Sequence, residues 1–324
     1  MTNKEIYKRT LGFSIRRLFF DFISIILFVG CSAAGYLLLD KLTDKGLIGL
    51  AIGAVIGIII IALISRFVSY TMKAGQIAMM TRGVTEGELP DNVIAEGKRA
   101  VKERFKTVAV FFALTGAIKA IFNQLGRGLT KLGSSIGGDT GGAVGSTVST
   151  AINTLVSYLC DCCLGWVFYR KDQSAVRATC EGAALFFKHG KTLFKNMGRI
   201  FGMGLLSLLL IGGAFTGVFY LIFSGMPNVF TPLAAEIAEA AARSETNISE
   251  FFTDPATLPI VCAALLAIVL WSIIHSAFVR PFILTGVLRN YIESGMKAIP
   301  SEASFASLKD KSPRFAKLCA KLDD

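Results

Sequence analysis

The sequence predicts an all-α, polytopic membrane protein, and three observations support this fold class. Of the 324 residues, 53% are hydrophobic and 18% are charged, whereas soluble domains have about 25% charged residues. Several segments are long and apolar enough for membrane helices, which need roughly 20 residues to cross about 30 Å of hydrocarbon. Lysine and arginine residues concentrate in alternate connections between these segments, as expected for a chain that repeatedly crosses a membrane.

Six transmembrane helices are predicted. The fifth is unbroken by charge, the third is short and the fourth is polar. Together they form a membrane domain over residues 22–288, between a basic N-terminus (1–21) and a C-terminal tail (289–324). The predicted spans cover residues 22–39, 47–64, 107–122, 143–169, 200–223 and 258–279.

The distribution of basic residues predicts that both termini are cytosolic. The N-terminus, two long connections and the tail hold 28 of the 34 Lys and Arg residues, against five in the other three connections. This asymmetry fits the positive-inside rule for a multi-pass protein of the plasma or bacterial inner membrane. It also accounts for the net charge of +11 without nucleic acid, because basic connections orient the chain and bind anionic headgroups.

Two cytosolic connections are themselves predicted to be helical. Residues 91–106 are charged and follow Pro90, and residues 174–196 mix apolar positions such as Phe186 with basic ones such as Lys188. Basic, aromatic-bearing helices tend to lie in the headgroup plane, so we interpret these connections as amphipathic interfacial helices. Alternatively, residues 174–196 plug or couple to a pathway.

Gly49, Gly53 and Gly57 recur at every fourth position of the second predicted span. Small residues at this spacing let two helix backbones approach closely in lipid. The pattern predicts close packing within the chain or, alternatively, a seam between two copies of a homo-oligomer.

The predicted functional centre is the segment from Thr107 to Tyr169, in which two apolar halves are joined by a glycine-rich link. Each half has a polar stripe at near-helical spacing, which gives each helix one hydrated face. A small polar solute is the ligand we expect along these faces. The residues predicted to line its pathway are Thr115, Lys119, Asn123, Asn153, Ser157 and Asp161.

Lys119 and Asp161 are the most informative of these residues, because a charge at the centre of a span costs about 2.5–3.5 kcal/mol. Such residues seldom persist without a partner. Counted from the cytosolic helix ends, they lie about 18 Å and 12 Å deep, a difference that a lysine stem can bridge. We therefore expect a Lys119–Asp161 pair that acts as a gate or in proton coupling. The alternatives are a purely structural ion pair and a lysine whose side chain reaches the outer membrane surface.

Other side chains offer little chemistry. His275, near the cytosolic end of the sixth span, could respond to pH. Cys160 and Cys163 share a helix face and could offer soft metal ligands, but packing is the expected role, so no metal or cofactor is predicted. With two histidines and no nucleophile–base spacing, an enzyme is not expected.

Four features follow one another between about Ser65 and Gly295. They are Arg104-Phe105-Lys106 before a span, the cysteine-rich Cys160–Cys163, the run from Cys180 to Phe201, and the segment Phe282–Leu288 after the last span. Their order resembles the carboxy-terminal half of the choline transporter-like family. The resemblance implies a membrane transport scaffold.

These features lead to two functional hypotheses. The first is a transporter-like protein that moves a small polar or charged solute along the polar path of the central hairpin. The alternative is a non-transporting scaffold, or a subunit of a membrane complex, in which the polar stripes and the glycines dock partner helices.

Overall fold

A computed structural model describes residues 1–43, 46–134, 141–194, 197–243, 249–297 and 299–320. The regular structure in these ranges is helical and contains no strand, which confirms the predicted all-α class. The chain divides into two compact units. The first unit comprises Met1–Met197 and Pro281–Asp324, and the second unit is Gly198–Arg280.

The helices follow one another along the chain, and in the described ranges three five-residue π-turns interrupt them. The π-turns are Ser69–Lys73, Leu208–Gly212 and His275–Val279. The helices are α1 (Asn3–Thr43), α2 (Gly46–Val68), α3 (Ala74–Thr85), α4 (Val93–Arg104), α5 (Val108–Ser134), α6 (Gly141–Tyr169), α7 (Ala175–Phe194), α8 (Met197–Ser207), α9 (Gly213–Ser224), α10 (Pro227–Arg243), α11 (Leu258–Ile274), α12 (Arg280–Lys297), α13 (Glu302–Lys311) and α14 (Pro313–Ala320).

Two helices of the first unit are far longer than a membrane is thick. α1 has 41 residues, and the helix Ile48–Thr85, which runs through the first π-turn, has 38. At 1.5 Å per residue, each is close to twice the roughly 30 Å of a hydrocarbon core. The buried residues lie at one end of each helix, for example Phe13 and Ile77, whereas the other end exposes apolar side chains such as Ile26. Each helix therefore combines a half suited to lipid with a half that packs inside protein.

α1 and α2 form a close hairpin because glycines line their contact. A Cβ atom on Gly49 would collide with the Gly35 carbonyl oxygen, and one on Gly53 would collide with the Cys31 carbonyl oxygen. Gly57 faces α1 as well. The glycine pattern of the second span thus serves packing within the chain, which was one of its two interpretations; its use in a homo-oligomer stays a prediction.

α3 is held between α1 and α4. Gln76 donates from Nε2 to Ser14 Oγ of α1 at 3.1 Å, in a buried position. Gly75 and Gly97 bring α3 and α4 together, and the ring of Phe13 lies against both glycines. The half of α1 nearest the N-terminus is therefore part of the core of the first unit.

The C-terminal tail packs as two helices within the first unit. Ser312 Oγ at the start of α14 donates to Gln124 Oε1 of α5 at 3.0 Å. On their outer side, α13 and α14 expose Lys309, Asp310, Arg314 and Lys317. The tail cluster, an apolar core shared by the tail, α5 and α7, consists of Ile121, Cys180, Ala183, Ala184, Phe305, Leu308, Phe315, Leu318 and Cys319.

The second unit is built on the pairing of helix Gly198–Ser224 with α11. Trp271 of α11 donates from Nε1 to Ser207 Oγ at 3.1 Å, a polar contact between otherwise apolar helices. Phe230 and Ala234 of α10 pack with Leu258 at the start of α11.

Four helices are long and apolar enough to cross a membrane, among the residues described: Asn3–Thr43, Ile48–Thr85, Gly198–Ser224 and Leu258–Lys297. The pair Val93–Arg104 and Ala109–Gln124, bent by 83°, would make a fifth. Such helices are consistent with a multi-pass membrane protein. The count of six spans, the side on which the termini lie and the interfacial position of α4 and α7 stay predictions.

Replacing both Gly49 and Gly53 with alanine is expected to lower the free energy of unfolding by roughly 1–3 kcal/mol, because each added methyl meets a backbone oxygen of α1. Thermal unfolding of the purified protein in detergent, followed by circular dichroism, measures the loss. Gly30→Ala in α1 is the matched control, since a Cβ there meets nothing within 4 Å. Equal stability of the double variant and the control would contradict the close packing.

Candidate functional site

α5, α6 and the first π-turn surround a cavity of about 750 Å³ in the first unit, named here the hairpin cavity. All six residues that were predicted from the sequence to line a pathway are lining residues of this cavity. They are Thr115, Lys119, Asn123, Asn153, Ser157 and Asp161. The two polar stripes therefore face one shared space. Lys73, Phe111, Phe112, Cys160 and Leu164 are among the other lining residues.

The ion pair of the cavity joins Asp161 to Lys73. Lys73 Nζ lies 2.6 Å from Asp161 Oδ1, with 32% of the lysine side chain and 5% of the aspartate side chain exposed. The expected pairing of Asp161 with Lys119 is wrong, because a nearer ammonium comes from another helix. The sequence analysis predicted that Lys73 lies in a cytosolic connection. In the structure, the helix that contains the second span continues through Lys73 and packs on α6.

Lys73 owes its position to the π-turn Ser69–Lys73, of which it is the last residue. A π-turn adds a residue to one helical turn and so changes which side chains face a neighbouring helix; such turns are frequent at functional sites. One sequence signal could have indicated the continuous helix: no proline or glycine lies between Gly57 and Gly75. Nothing in the sequence, however, marks the extra residue of the turn.

Lys119 gives the cavity a second ammonium. It lies on an exposed face of α5, and its Nζ has no hydrogen-bond or ion-pair partner in the part of the chain that the structure describes. Because Lys73 and Asp161 neutralise each other, the described lining has a net charge of +1. Phe111 and Phe112 provide an apolar wall beside these charges.

The orientation of α6 is fixed by contacts on the side away from the cavity. Trp166 is fully buried and donates from Nε1 to Glu181 Oε2 of α7 at 3.2 Å. Arg170 Nη1 lies 3.6 Å from the same carboxylate oxygen. The indole has space because α12 carries Gly295, where a Cβ atom would collide with the ring. These contacts determine that Asp161 and Ser157 face the cavity.

The cysteines near the cavity differ in accessibility. Cys160 lines the cavity and is partly exposed, whereas Cys162 and Cys163 are buried in α6. Farther away, Cys319 Sγ donates to Cys180 Sγ at 3.1 Å, and this hydrogen bond together with burial raises the pKa of the Cys180 thiol. In the described ranges, no group of three or more His, Cys, Asp or Glu side chains could hold a metal ion.

The remaining predicted positions lie elsewhere. His275 belongs to the second unit, where it begins a π-turn and packs on Trp271 with ring centroids 5.1 Å apart; its response to pH stays a prediction. The side chains of Phe186 and Lys188 in α7 lie outside the described residues. A smaller cavity of about 400 Å³, between α3, α4 and the end of α6, contains charges that pair with each other, such as Arg82 with Glu86.

Comparisons with known protein families, with curated proteins and with solved structures gave no match. The resemblance to the choline transporter-like family therefore stays a prediction.

The Lys73–Asp161 pair can be tested with a double-mutant cycle. Lys73→Gln alone is expected to lower the free energy of unfolding by roughly 1–3 kcal/mol, less than the 3–5 kcal/mol of a fully buried pair, because Lys73 is about one-third exposed. Adding Asp161→Asn should restore part of this loss, since the buried carboxylate is then gone. Denaturation in mixed detergent micelles measures all three variants, and additive losses would contradict the pairing.

Proposed function

We propose that this chain is a multi-pass membrane transporter that binds a small polar solute in the hairpin cavity and moves it across the plasma or bacterial inner membrane. The observation that carries the proposal is the convergence of six polar residues from two helices, together with an ion pair whose carboxylate is buried, on one cavity of about 750 Å³. Binding cavities of about 300–1,000 Å³ suit small molecules.

The ion pair supplies a means of coupling. Placing an ionisable group inside a transmembrane helix costs free energy, and such groups tend to mark solute or proton routes in membrane proteins. A proton or a solute that releases Asp161 from Lys73 would free the π-turn from α6. In this proposal, α6 and the helix that contains the π-turn then separate on one side of the membrane and approach each other on the other side.

Labelling of Cys160 tests the transport proposal without knowledge of the solute. In a Cys31→Ala, Cys262→Ala background, Cys160 is the remaining cysteine that the structure describes as accessible. A membrane-impermeant maleimide is expected to reach it both from intact cells and from inverted vesicles, because a transporter opens to each side in turn. Labelling from the cytosolic side alone would contradict transport through this cavity.

The same labelling of Cys160 is measured in the Asp161→Asn variant. Asp91→Asn is the control, because Asp91 is exposed on the surface. With the ion pair lost, we expect Cys160 labelling to become one-sided while the protein remains folded in the membrane. Two-sided labelling at the unchanged rate in Asp161→Asn would show that the pair has no part in opening.

A second candidate, a non-transporting subunit of a membrane complex, is favoured by the tail. In the six-span arrangement, α5 leaves the cytosol near Val108, and Gln124 lies about 24 Å farther along the helix, near the outer surface. The tail nevertheless contacts Gln124 through Ser312, and the helix that follows Ser312 exposes Arg314 and Lys317. Charged side chains of a cytosolic tail belong in water, so these contacts favour a hairpin that stays on the cytosolic side.

The exposed apolar side chains favour the same alternative. Between Val68 and Gly204, Val110 is the one large apolar side chain exposed among those described, whereas α1, α2, α9 and α11 expose many. A four-span arrangement would place 31 of the 34 basic residues in the cytosol, with Lys41, Lys45 and Arg243 outside. This asymmetry is stronger than that of six spans, and both termini are cytosolic in either arrangement.

A cysteine introduced in the link between α5 and α6 separates the two candidates. In a Cys31→Ala, Cys160→Ala, Cys262→Ala background, Ser135→Cys should react with an impermeant maleimide from outside intact cells if the hairpin crosses the membrane. In the four-span arrangement it should react only after permeabilisation. Asp44→Cys serves as the external control and Lys4→Cys as the cytosolic control, because both arrangements agree on these positions.

A further inference from the structure

The charges of the hairpin cavity restrict the chemistry of the solute. Two ammonium groups, Lys73 and Lys119, and one carboxylate, Asp161, line the same space. The carboxylate is paired at 2.6 Å and almost fully buried, so it is less available to a ligand than either lysine. Lys119 is exposed and has no partner among the described residues. An anionic group of a ligand would therefore find the most favourable charge partner in this cavity.

The other lining groups indicate what surrounds that anion. The amides of Asn123 and Asn153 offer both donors and acceptors, which suit hydroxyl or carbonyl groups of a solute. The Thr115 hydroxyl donates to the Phe111 carbonyl oxygen at 2.8 Å, so it offers a solute an acceptor. Ser157 adds a further hydroxyl to the lining. Phe111 and Phe112 line the same cavity and suit an apolar portion. A quaternary ammonium would meet two like charges, and the one carboxylate among the described lining residues is already bound to Lys73.

We infer that the hairpin cavity binds a solute with a carboxylate or phosphate group, with Lys119 as the main contact of the anionic oxygens. This inference rests on the proposed binding of a solute in the cavity and adds the class of solute. Lys73 contributes a second, weaker attraction, because Asp161 already neutralises most of its charge. The resemblance to the choline transporter-like family implies a transport scaffold and no class of solute, so the anionic class comes from the lining residues alone.

The sign of the potential in the cavity can be measured at Cys160. In the Cys31→Ala, Cys262→Ala background, we expect the anionic reagent MTSES to react faster relative to the cationic MTSET than it does with a free thiol. Lys119→Gln should reduce this ratio by roughly tenfold, since one unit charge acts with opposite sign on the two reagents. Lys119→Arg should restore the ratio.

The control removes an equal charge from outside the cavity. Lys102 is exposed on α4 and is not a lining residue, so Lys102→Gln should leave the ratio unchanged. A ratio that favours MTSET, or one that falls equally in Lys102→Gln and Lys119→Gln, would overturn the inference. This measurement needs no solute and no transport.

Protection of Cys160 then identifies the source of the anionic group. Succinate, inorganic phosphate and phosphatidylglycerol in nanodiscs are compared at matched ionic strength, with choline as the cationic comparison. Slower labelling with succinate or phosphate supports a free solute, and slower labelling with the lipid supports a headgroup in the same anion site. Protection by choline alone would overturn the anionic class while keeping solute binding, whereas protection by none of the four would overturn solute binding as well.

Discussion

The buried carboxylate of Asp161 is the constraint on which the arrangement of the hairpin cavity depends. A carboxylate removed from water is stable only beside an opposite charge, since its desolvation costs several kcal/mol. Lys73 supplies that charge from the long helix Ile48–Thr85, which runs through the first π-turn. The pair therefore ties this long helix to α6, and any motion that opens the cavity on that side has to separate the two charges.

The part of the site that the sequence could predict is the part determined by helical periodicity. Asn153, Ser157 and Asp161 lie four residues apart on α6, and this spacing alone places them on one face. The partner of Asp161 could not be predicted in the same way, because Lys73 precedes it by 88 positions and reaches it through a π-turn. Spacing within one helix determines a face, but not which side chain of another helix meets that face.

The extent of the membrane domain was hard to predict for a related reason. Hydropathy indicates whether a segment avoids water, and it does not distinguish burial in lipid from burial in protein. α1 contains both environments, with Phe13 packed in the first unit and Ile26 on an exposed apolar surface. The tail shows the same limit: Phe305 and Phe315 are buried by α5 and α7, whose residues lie more than a hundred positions earlier.

The tail cluster also has a consequence for biosynthesis. Ile121 of α5 belongs to the same buried cluster as Phe315 of α14, so this core is complete only after Phe315 has been translated. At about 5–20 residues per second, Phe315 follows Ile121 after roughly 10–40 s. During this interval the tail does not yet cover the apolar face of α5, and a chaperone or the membrane surface would have to shield it until Phe315 has been translated.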